Sequence, residues 1–454
     1  MHKILTLLTF FCFVLFSFAQ KADGNDSSSL LSSFKNGEIK GQLRYFFMAT
    51  DNEKRLSDYY ANATGARVSY NTGKFKGFQF GLTQSFEFNI ASSDFNQKDP
   101  ATNASNRYEV ALFDVTDVNN KTNLARLDEL YLKYTFKQTA FTLGRQNLNT
   151  PFLNTQDGRM MTSSFGGLWI TSIIKKWYIS GGWLISSSPR GTTKFYSIEK
   201  SLGLHSNGVD ASGSALHYLN SIESKGIGVA MFNRKFRKFW NVSVSDYLVE
   251  NVFNTTLIQV DFNVPTKWFG GVQYIHQNGL NVGGNVDPTK RYFEKNGQSN
   301  SIGVRIGRIF GQYSFSLNYN HITKDGQFLL PREWGREPLF TFIQRERSEG
   351  LGNTNALVIK SEFLNKKKSF GVKLHTGAVF TPDIKEYELN KYGLSSYYHT
   401  DLELKYLPIR KLKNLEISLL ITNKKTIGET YSNPKNVIKK VNMFNYNLIL
   451  NYNF

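Results

Sequence analysis

Basic side chains recur at alternate positions of short apolar segments. Arg44 alternates with Leu43, Tyr45 and Phe47, and Arg67 shares this parity in the next segment. A guanidinium keeps its charge at every physiological pH and presents a planar fork that matches a carboxylate. A row of such groups would attract anions without trapping them, as a selective channel requires. The basic residues on this parity are Lys40, Arg44, Arg67, Arg305, Lys360, Lys373 and Lys405.

Acidic side chains share the same face and leave two interpretations open. They are Glu38, Glu87, Glu129, Asp261, Glu362, Asp401, Glu403 and Glu416. In the first interpretation the cations line a channel and raise the local concentration of anions. In the second, each cation pairs with an acid on a neighbouring strand, and the charges only satisfy one another. Pairing is the simpler account of any single residue, whereas Arg44 and Arg67 together favour guidance of anions.

Residues suited to catalysis are sparse. None of the histidines lies in an H-E-x-x-H motif or another zinc spacing. No nucleophile elbow or P-loop is visible. His399 and Asp401 follow Ser395 and Ser396, a set that could build a serine hydrolase site but could equally line a wet lumen. The sequence therefore predicts no enzyme, no catalytic residue, no metal and no cofactor.

The charge balance restricts the partners. The 454 residues include 55 Lys and Arg against 36 Asp and Glu, a formal net charge of +19. A positive excess alone is weak evidence for nucleic-acid binding, and no nucleic-acid motif accompanies it. We therefore expect contact with anionic lipopolysaccharide and with small anionic or zwitterionic solutes, and no nucleic-acid partner.

The elements that would position these side chains are strands with a period of two. In the segment 442–454, one face is apolar and the other carries asparagines; the apolar face consists of Phe444, Tyr446, Leu448, Leu450, Tyr452 and Phe454. Similar alternation recurs near 38–47, 78–88 and 312–320. This period over about ten residues, with aromatic ends and one polar face, is typical of transmembrane β-barrels. The terminal Phe454 resembles the end of a barrel recognition strand, which predicts binding to the barrel-assembly machinery.

The first 19 residues form a different element. Lys3 precedes the apolar run 4–18, and small residues stand at Ser17 and Ala19. This is the pattern of a secretory signal peptide, cleaved before Gln20. The alternative is a retained N-terminal anchor.

Composition excludes two further classes of protein. After residue 19 no apolar run approaches the ~20 residues of a membrane-spanning helix. The only cysteine is Cys12, so a disulfide scaffold is excluded. The predicted organisation is a signal peptide at 1–19, a short N-terminal extension at 20–36 and a transmembrane β-barrel at 37–454.

The connections between strands indicate a membrane barrel rather than a soluble sandwich. The candidate strands lie at 37–50, 63–72, 75–90, 124–136, 138–146, 164–174, 177–188, 222–234, 238–250, 254–263, 267–277, 298–308, 311–323, 355–364, 369–379, 397–407, 414–423 and 440–454. Connections after even-numbered strands are short, and those after odd-numbered strands are mostly long, as in outer-membrane barrels. We predict an all-β fold, an antiparallel barrel of 18 strands in the outer membrane of a Gram-negative-type bacterium, with both termini periplasmic. Such a barrel is wide enough for an aqueous channel.

Several stretches of the chain resemble the OprD family of substrate-selective outer-membrane porins. They are GQLRYFF (41–47), TGAR (64–67), KGF (76–78), LDELYLKYTF (127–136), GRQ (144–146), DGRMM (157–161) and the late segment 401–422. The resemblance implies an 18-strand porin whose third loop narrows the pore. It also implies a row of Arg and Lys that guides carboxylate-bearing substrates.

The resemblance places individual residues on the substrate path. Arg44 and Arg67 fit the wall row, and Arg159 fits the constriction loop. The late strands depart from the family pattern, because 415–421 contains no arginine. The full set of candidates for the pore wall and constriction is Arg44, Arg67, Arg159, Arg305, Lys360 and Lys373.

The segment 331–350, PREWGREPLFTFIQRERSEG, is the most unusual loop of the chain, with four arginines and four glutamates. It is either a folded outer loop that contributes to a vestibule or a surface loop that braces its own aromatic residues.

The sequence predicts a porin for passive uptake of small solutes bearing a carboxylate, such as organic acids, amino acids or short peptides. An oligosaccharide-selective porin is the alternative, because the aromatic content would suit a sugar path. An outer-membrane enzyme or an adhesin that uses the long loops is the third interpretation.

Overall fold

A computed structural model describes residues 26–155, 158–236, 239–408 and 412–454. The predicted signal peptide, 1–19, lies outside these residues. Within the extension before the barrel, the side chain of Ser29 caps the short helix α1 (Leu30–Lys35) by accepting from the amide of Ser32 at 3.1 Å. No helix in the described part of the chain is long and apolar enough to cross a membrane.

Strands are the main regular element of the described chain. Their bounds are β1 Glu38–Asp51, β2 Tyr59–Asn71, β3 Phe78–Ser92, β4 Leu124–Phe136, β5 Thr139–Gln146, β6 Ser164–Ile174, β7 Trp177–Ser188, β8 Tyr196–Ser197, β9 Ile227–Phe236, β10 Trp240–Val249, β11 Phe253–Asn263, β12 Trp268–Gly279, β13 Gln298–Phe310, β14 Tyr313–Ile322, β15 Thr354–Leu364, β16 Phe370–Phe380, β17 Tyr397–Tyr406, β18 Leu415–Thr426 and β19 Met443–Asn453. Each strand except β7 and β8 pairs antiparallel with two neighbours. β7 pairs with β6, β8 and β9, and β8 pairs only with β7.

The sheet closes on itself. β1 pairs with β19, and Gly41 and Phe454 exchange backbone hydrogen bonds of 2.7 and 2.9 Å at the seam. β7 pairs directly with β9, so β8 lies outside the ring. The ring therefore has 18 strands, and the predicted antiparallel barrel is confirmed. Closure matters because it leaves no unpaired strand edge in a membrane.

The strand bounds differ from the sequence pattern in a few places. β2 begins at Tyr59, four residues before the predicted start, and β9 begins at Ile227 rather than at 222. At the start of β2 the inward residues Tyr59 and Ala61 are buried beneath a loop. Both faces of that segment therefore carry apolar or aromatic residues, and the sequence does not alternate between polar and apolar there.

The outer surface carries aromatic pairs at the turn end of the barrel. Phe78 packs on Tyr134 with ring centroids 4.7 Å apart, and Tyr313 packs on Phe363 at 4.9 Å. Phe78 and Tyr313 begin their strands, and Tyr134 and Phe363 lie near the ends of theirs, beside short turns. Such a girdle lies at the membrane interface of outer-membrane barrels.

Long connections at the opposite, loop end fold into the lumen. We name them L2 (93–123), L3 (147–163), L4 (189–226), L7 (323–353), L8 (381–396) and L9 (427–442). Apolar residues of L2 pack on inward side chains of β1 and β2, and those of L3, L4 and L7 form a second core. Trp334 of L7 is fully buried in that second core and donates from Nε1 to Ser201 Oγ at 2.8 Å. The loops therefore hold their shape as a packed core would.

Candidate functional site

Ion pairs line the lumen wall toward the turn end. Lys40 and Glu38 pair within β1, and the other pairs join different strands. The pairs are Lys40–Glu38 at 2.9 Å, Arg67–Asp128 at 3.7 Å, Arg67–Glu129 at 3.8 Å, Arg305–Asp261 at 2.9 Å, Lys373–Glu403 at 3.1 Å and Lys405–Glu416 at 2.7 Å. Most of the cations predicted on the wall are therefore paired with an acid. Except for the buried Asp128, these groups are partly exposed, and an exposed pair contributes only about 0–1 kcal/mol to stability.

Lys360 differs from these cations. It lies on the inward parity of β15, and no acid within ion-pair distance faces it among the described residues. Its charged neighbours are Arg305, Glu362, Arg336 and Lys373. Glu362 is instead engaged by His375, whose Nε2 lies 3.1 Å from Glu362 Oε1.

A β-bulge changes the parity of β4. Thr83 faces Glu129 and Gln84 faces Leu127, which leaves Asp128 as the extra residue. The bulge turns both Asp128 and Glu129 to the lumen, where each lies near Arg67. Arg126 is held beside them, with its Nε 2.6 Å from Asp128 Oδ1. The acidic partner of Arg67 is therefore a product of the bulge.

Arg44 connects the wall to the predicted constriction loop. Its Nε donates to Asn451 Oδ1 of β19 at 2.7 Å, and its Nη1 donates to the backbone carbonyl of Arg159 at 2.6 Å. Arg159 belongs to L3 and is 5% exposed. Since L3 enters the lumen and contacts the wall at Arg44, the third loop occupies the place of a constriction.

L7 crosses the lumen and is fastened on both sides. On one side Gln273 and Gln277 of β12 bond its backbone: Gln273 donates to the carbonyl of Pro338 at 3.2 Å, and Gln277 accepts from the amide of Leu329 at 2.8 Å. On the far side the amide of Gln344 donates to Asp401 of β17 at 3.0 Å. The loop 331–350 is thus folded inward, as the vestibule interpretation expected.

Arg345 fastens L7 to the last strand. Its Nε donates to Asn445 Oδ1 at 3.1 Å and its Nη2 to Asn447 Oδ1 at 2.6 Å. Its φ is +71°, a left-handed conformation that is strained for a residue with a side chain. The two amides of β19 offset this strain and aim the guanidinium at a fixed place in the lumen.

Buried ion pairs fix two acids of L7, Glu346 and Glu349. Glu346 bonds the ammonium of Lys424, which is fully buried on β18, and Arg107 of L2 lies 3.6 Å from the same carboxylate. Glu349 accepts from Arg332 Nε at 2.6 Å. Burial raises the pKa of the Glu346 carboxyl, but Lys424 and Arg107 together lower it by more. The pKa therefore lies below its usual range. These acids are occupied by their own cations.

A strongly basic cavity lies above the constriction. It has a volume of about 1130 Å³ and is lined by L2, L3, L4, L7, L8 and L9; we call it the vestibule. Its charged lining has many more cations than acids. The cations are Lys98, Arg107, Arg159, Arg190, Arg332, Arg345, Arg347, Lys385, Lys391, Lys435, Lys439 and Lys440, and the acids are Glu346 and Glu349. Low-dielectric walls of one sign focus the field and concentrate ions of the opposite sign.

Comparison with known proteins decides the family. The model of the outer membrane porin OprD family matches residues 34–293, more than half of the chain. The chain belongs to the OprD family. The resemblance seen in the sequence is therefore confirmed, and this OprD-family porin is an outer-membrane protein of a Gram-negative bacterium that forms a passive channel. The members of this family are channels rather than enzymes. No curated protein matches the chain.

Solved structures share the fold of this OprD-family porin. OccK9 (OpdG) of Pseudomonas aeruginosa is 15% identical with a TM-score of 0.72, over 93% of this chain and 99% of that one. OccAB2 of Acinetobacter baumannii is 14% identical with a TM-score of 0.68, over 93% and 99%. A structure of Pseudomonas aeruginosa OpdK with vanillate is 13% identical with a TM-score of 0.66, over 93% and 99%.

The residues considered for hydrolysis do not assemble a catalytic triad within the described part of the porin. His399 Nε2 lies 3.3 Å from Asp401 Oδ1, but Ser395 Oγ is 3.1 Å from Thr426 Oγ1 and contacts the carbonyl of Ser396. Among the same residues, no group of three His, Cys, Asp or Glu side chains could hold a metal ion.

Sequence reasoning missed several charged residues of the lumen. Arg126 and Asp128 were missed because the bulge interrupts the period of β4. Arg190 lies in the SSSPRGTT stretch, where no period marks a direction. Lys424 lies near the end of β18 on the inward parity, a signal that could have found it.

Proposed function

We propose that this porin admits small solutes that bear a carboxylate, including organic acids, amino acids and short peptides. The observation that carries the proposal is the vestibule, whose lining has twelve cations and two acids. A solute that enters from the loop end meets this positive field before it reaches the constriction. The field would raise the local concentration of anions and exclude cations.

The proposed path continues along six residues. Arg159 and Arg44 stand at the junction of L3 with the wall. Below them are Arg67, Arg305, Lys360 and Lys373, of which Lys360 lacks an ion-pair partner within the described chain. Paired cations offer weak contacts to an anion, and weak contacts in series favour passage over capture.

Two further partners follow from the same surface. The many lysines near the strand ends would meet anionic lipopolysaccharide and lipid headgroups. The strand that ends at Phe454 would be recognised by the barrel-assembly machinery.

The structure of OpdK with vanillate, an aromatic carboxylate, supports a carboxylate solute for a porin of this fold.

Swelling of proteoliposomes tests the substrate class. Purified porin should swell liposomes faster in gluconate than in glucose, since the two solutes have nearly the same size and differ in charge. Arg159→Gln should narrow this difference, and liposomes without protein should not swell. Faster swelling in maltotriose than in gluconate would favour the oligosaccharide alternative. An absence of swelling with the fold retained would favour an enzyme or an adhesin.

A further inference from the structure

Arginines from three loops converge in the vestibule. Arg159 comes from L3, Arg190 from L4, and Arg345 from L7. A Cβ placed on Gly158 would lie 3.4 Å from Arg345 Nη1, so L3 and L7 meet beside Arg159. The charged groups that act most strongly on Arg190 are all arginines: Arg159, Arg332, Arg345 and Arg347. The cluster concentrates positive charge at one place in the vestibule.

Two of these guanidiniums present buried donors that have no partner. Arg159 Nε and Arg190 Nε are both buried, and neither makes a hydrogen bond within the described residues. His205 Nε2, in the same wall, is a further buried polar atom without a hydrogen-bond partner among the described residues. A buried donor without a partner destabilises the folded protein, because it has lost its hydrogen bonds to water. Native structures keep few of these groups, so their concentration here points to a ligand.

Among the described residues, no acid lies within ion-pair distance of Arg159 or Arg190. Glu109 acts on Arg159 from a greater distance and accepts hydrogen bonds from Thr50 and Asn106. Glu349 bonds Arg332, and Glu346 bonds Lys424. Burial and the nearby Arg345 lower the pKa of the Arg159 guanidinium to about 9. The pKa of Arg190 is also well below its usual value, because of burial and then Arg159. Repulsion between the arginines is therefore only partly relieved by the protein itself.

We propose that Arg159 and Arg190 form a binding site for the phosphoryl group of a small phosphate monoester, so that the porin also admits phosphorylated solutes. The inference rests on the proposed function, since the phosphate reaches the site through the same anion-attracting vestibule. A phosphate monoester has three terminal oxygens and close to two negative charges. It can accept paired hydrogen bonds from two arginines at once, through Nε and Nη of each. A carboxylate has two oxygens and one charge, and a single arginine satisfies it.

The test is inhibition of chloride current in a planar bilayer at pH 8, with glycerol 3-phosphate, inorganic phosphate, succinate or acetate added on the loop side. Both phosphates should reduce the current of the wild-type porin at a concentration about tenfold lower than acetate or succinate, because they satisfy one further arginine. Succinate has the same charge as the phosphates and separates charge from phosphoryl geometry. Arg190→Gln should raise the half-inhibitory concentration of phosphate about tenfold. Arg55→Gln, an exposed arginine between β1 and β2, is the matched control and should leave it unchanged.

The outcomes separate this inference from the function on which it rests. Equal inhibition by phosphate, succinate and acetate would overturn the phosphate site, even with the preference for chloride over potassium intact. The same holds if Arg190→Gln leaves inhibition by phosphate unchanged. If the wild-type porin shows no preference for chloride over potassium, the proposed function itself is overturned. If Arg190→Gln does not fold, the comparison of the four anions on the wild type still decides.

Discussion

Arg44 donates a hydrogen bond of 2.6 Å from Nη1 to the backbone carbonyl of Arg159. One residue belongs to the first strand and the other to the third loop, 115 positions later. The contact uses only the backbone oxygen of Arg159, whose side chain lines the vestibule and donates from Nη1 to the carbonyl of Gly158. Arg44 thus positions the constriction loop as well as adding charge to the wall.

Changing both Arg44 and Arg67 to Gln should lower the preference for anions while the barrel stays folded. The change removes two positive charges and leaves Asp128 and Glu129 without Arg67. An exposed charge contact is worth on the order of 1 kcal/mol, so we expect the chloride-to-potassium permeability ratio to fall about fivefold. Reversal potentials in asymmetric KCl measure this ratio.

Arg291→Gln is the control for the double variant, since Arg291 pairs with Glu294 in the loop after β12 and is not among the described residues that line the vestibule. Thermal stability should be followed in parallel. A double variant with the wild-type reversal potential would refute the selectivity role of Arg44 and Arg67, whatever its stability.

Replacing residues 329–349 of L7 by a short Gly-Ser linker should widen the channel. The ends of this segment already meet, because the amide of Phe328 donates to the carbonyl of Leu351 at 2.9 Å and the amide of Gly350 to that of Phe328 at 2.7 Å. The barrel should therefore tolerate the deletion. Single-channel conductance should rise several-fold, since L7 crosses the lumen. An unchanged conductance would show that L7 does not limit the current.

Protonation of Glu337 should tighten the docking of L7. Burial raises the pKa of this carboxyl to about 7, although Arg347 opposes the shift. Because the folded-state pKa lies above the ordinary 4.5, the stabilisation is fully present below pH 4.5 and is lost as pH rises through 7. The shift corresponds to about 3 kcal/mol. The pKa of Glu346 is lowered instead, so the stabilisation from this carboxylate is lost only as pH falls below 4.5.

Open-channel noise reports this docking. In the wild type we expect noise from L7 to increase between pH 6 and pH 8, and Glu337→Gln should keep the quiet state at pH 8. Glu333→Gln, also in L7, is the matched control for the loss of a buried acid. The Glu333 carboxyl accepts a hydrogen bond from the amide of Gly203 at 3.0 Å and so connects L7 to L4. The same pH dependence in Glu337→Gln as in the wild type would assign the titration to another group.

The direction of insertion is testable with epitope tags. A tag inserted between Ser212 and Gly213 in L4 should bind antibody on intact cells. A tag between Lys367 and Lys368, in the turn between β15 and β16, should bind only after the outer membrane is permeabilised. The reverse pattern would place the loops in the periplasm.

The strands could be predicted because the alternation of polar and apolar residues indicates which face of the sheet each residue occupies. In β19, Asn445, Asn447 and Asn451 face the lumen and bond Arg345 or Arg44 there, as the alternation with aromatic residues indicated. Closure of the barrel requires this period in every strand. The number of strands and most of their bounds followed from it.

The interior of the loop end could not be predicted in this way. Arg345 reaches Asn447, 102 residues later, and no local period announces such a contact. The resemblance to the family placed Arg159 in the constriction, but the convergence of Arg190 and Arg345 on it depends on how three loops pack together. The bulge at Asp128 likewise becomes visible only from the register of β3 with β4.

The most direct test of an anion-selective channel is the reversal potential of the purified porin in a planar bilayer with a tenfold gradient of KCl. We expect stepwise conductance and a reversal potential displaced toward the equilibrium potential of chloride, because the vestibule lining is strongly positive. A reversal potential displaced toward that of potassium would contradict the account.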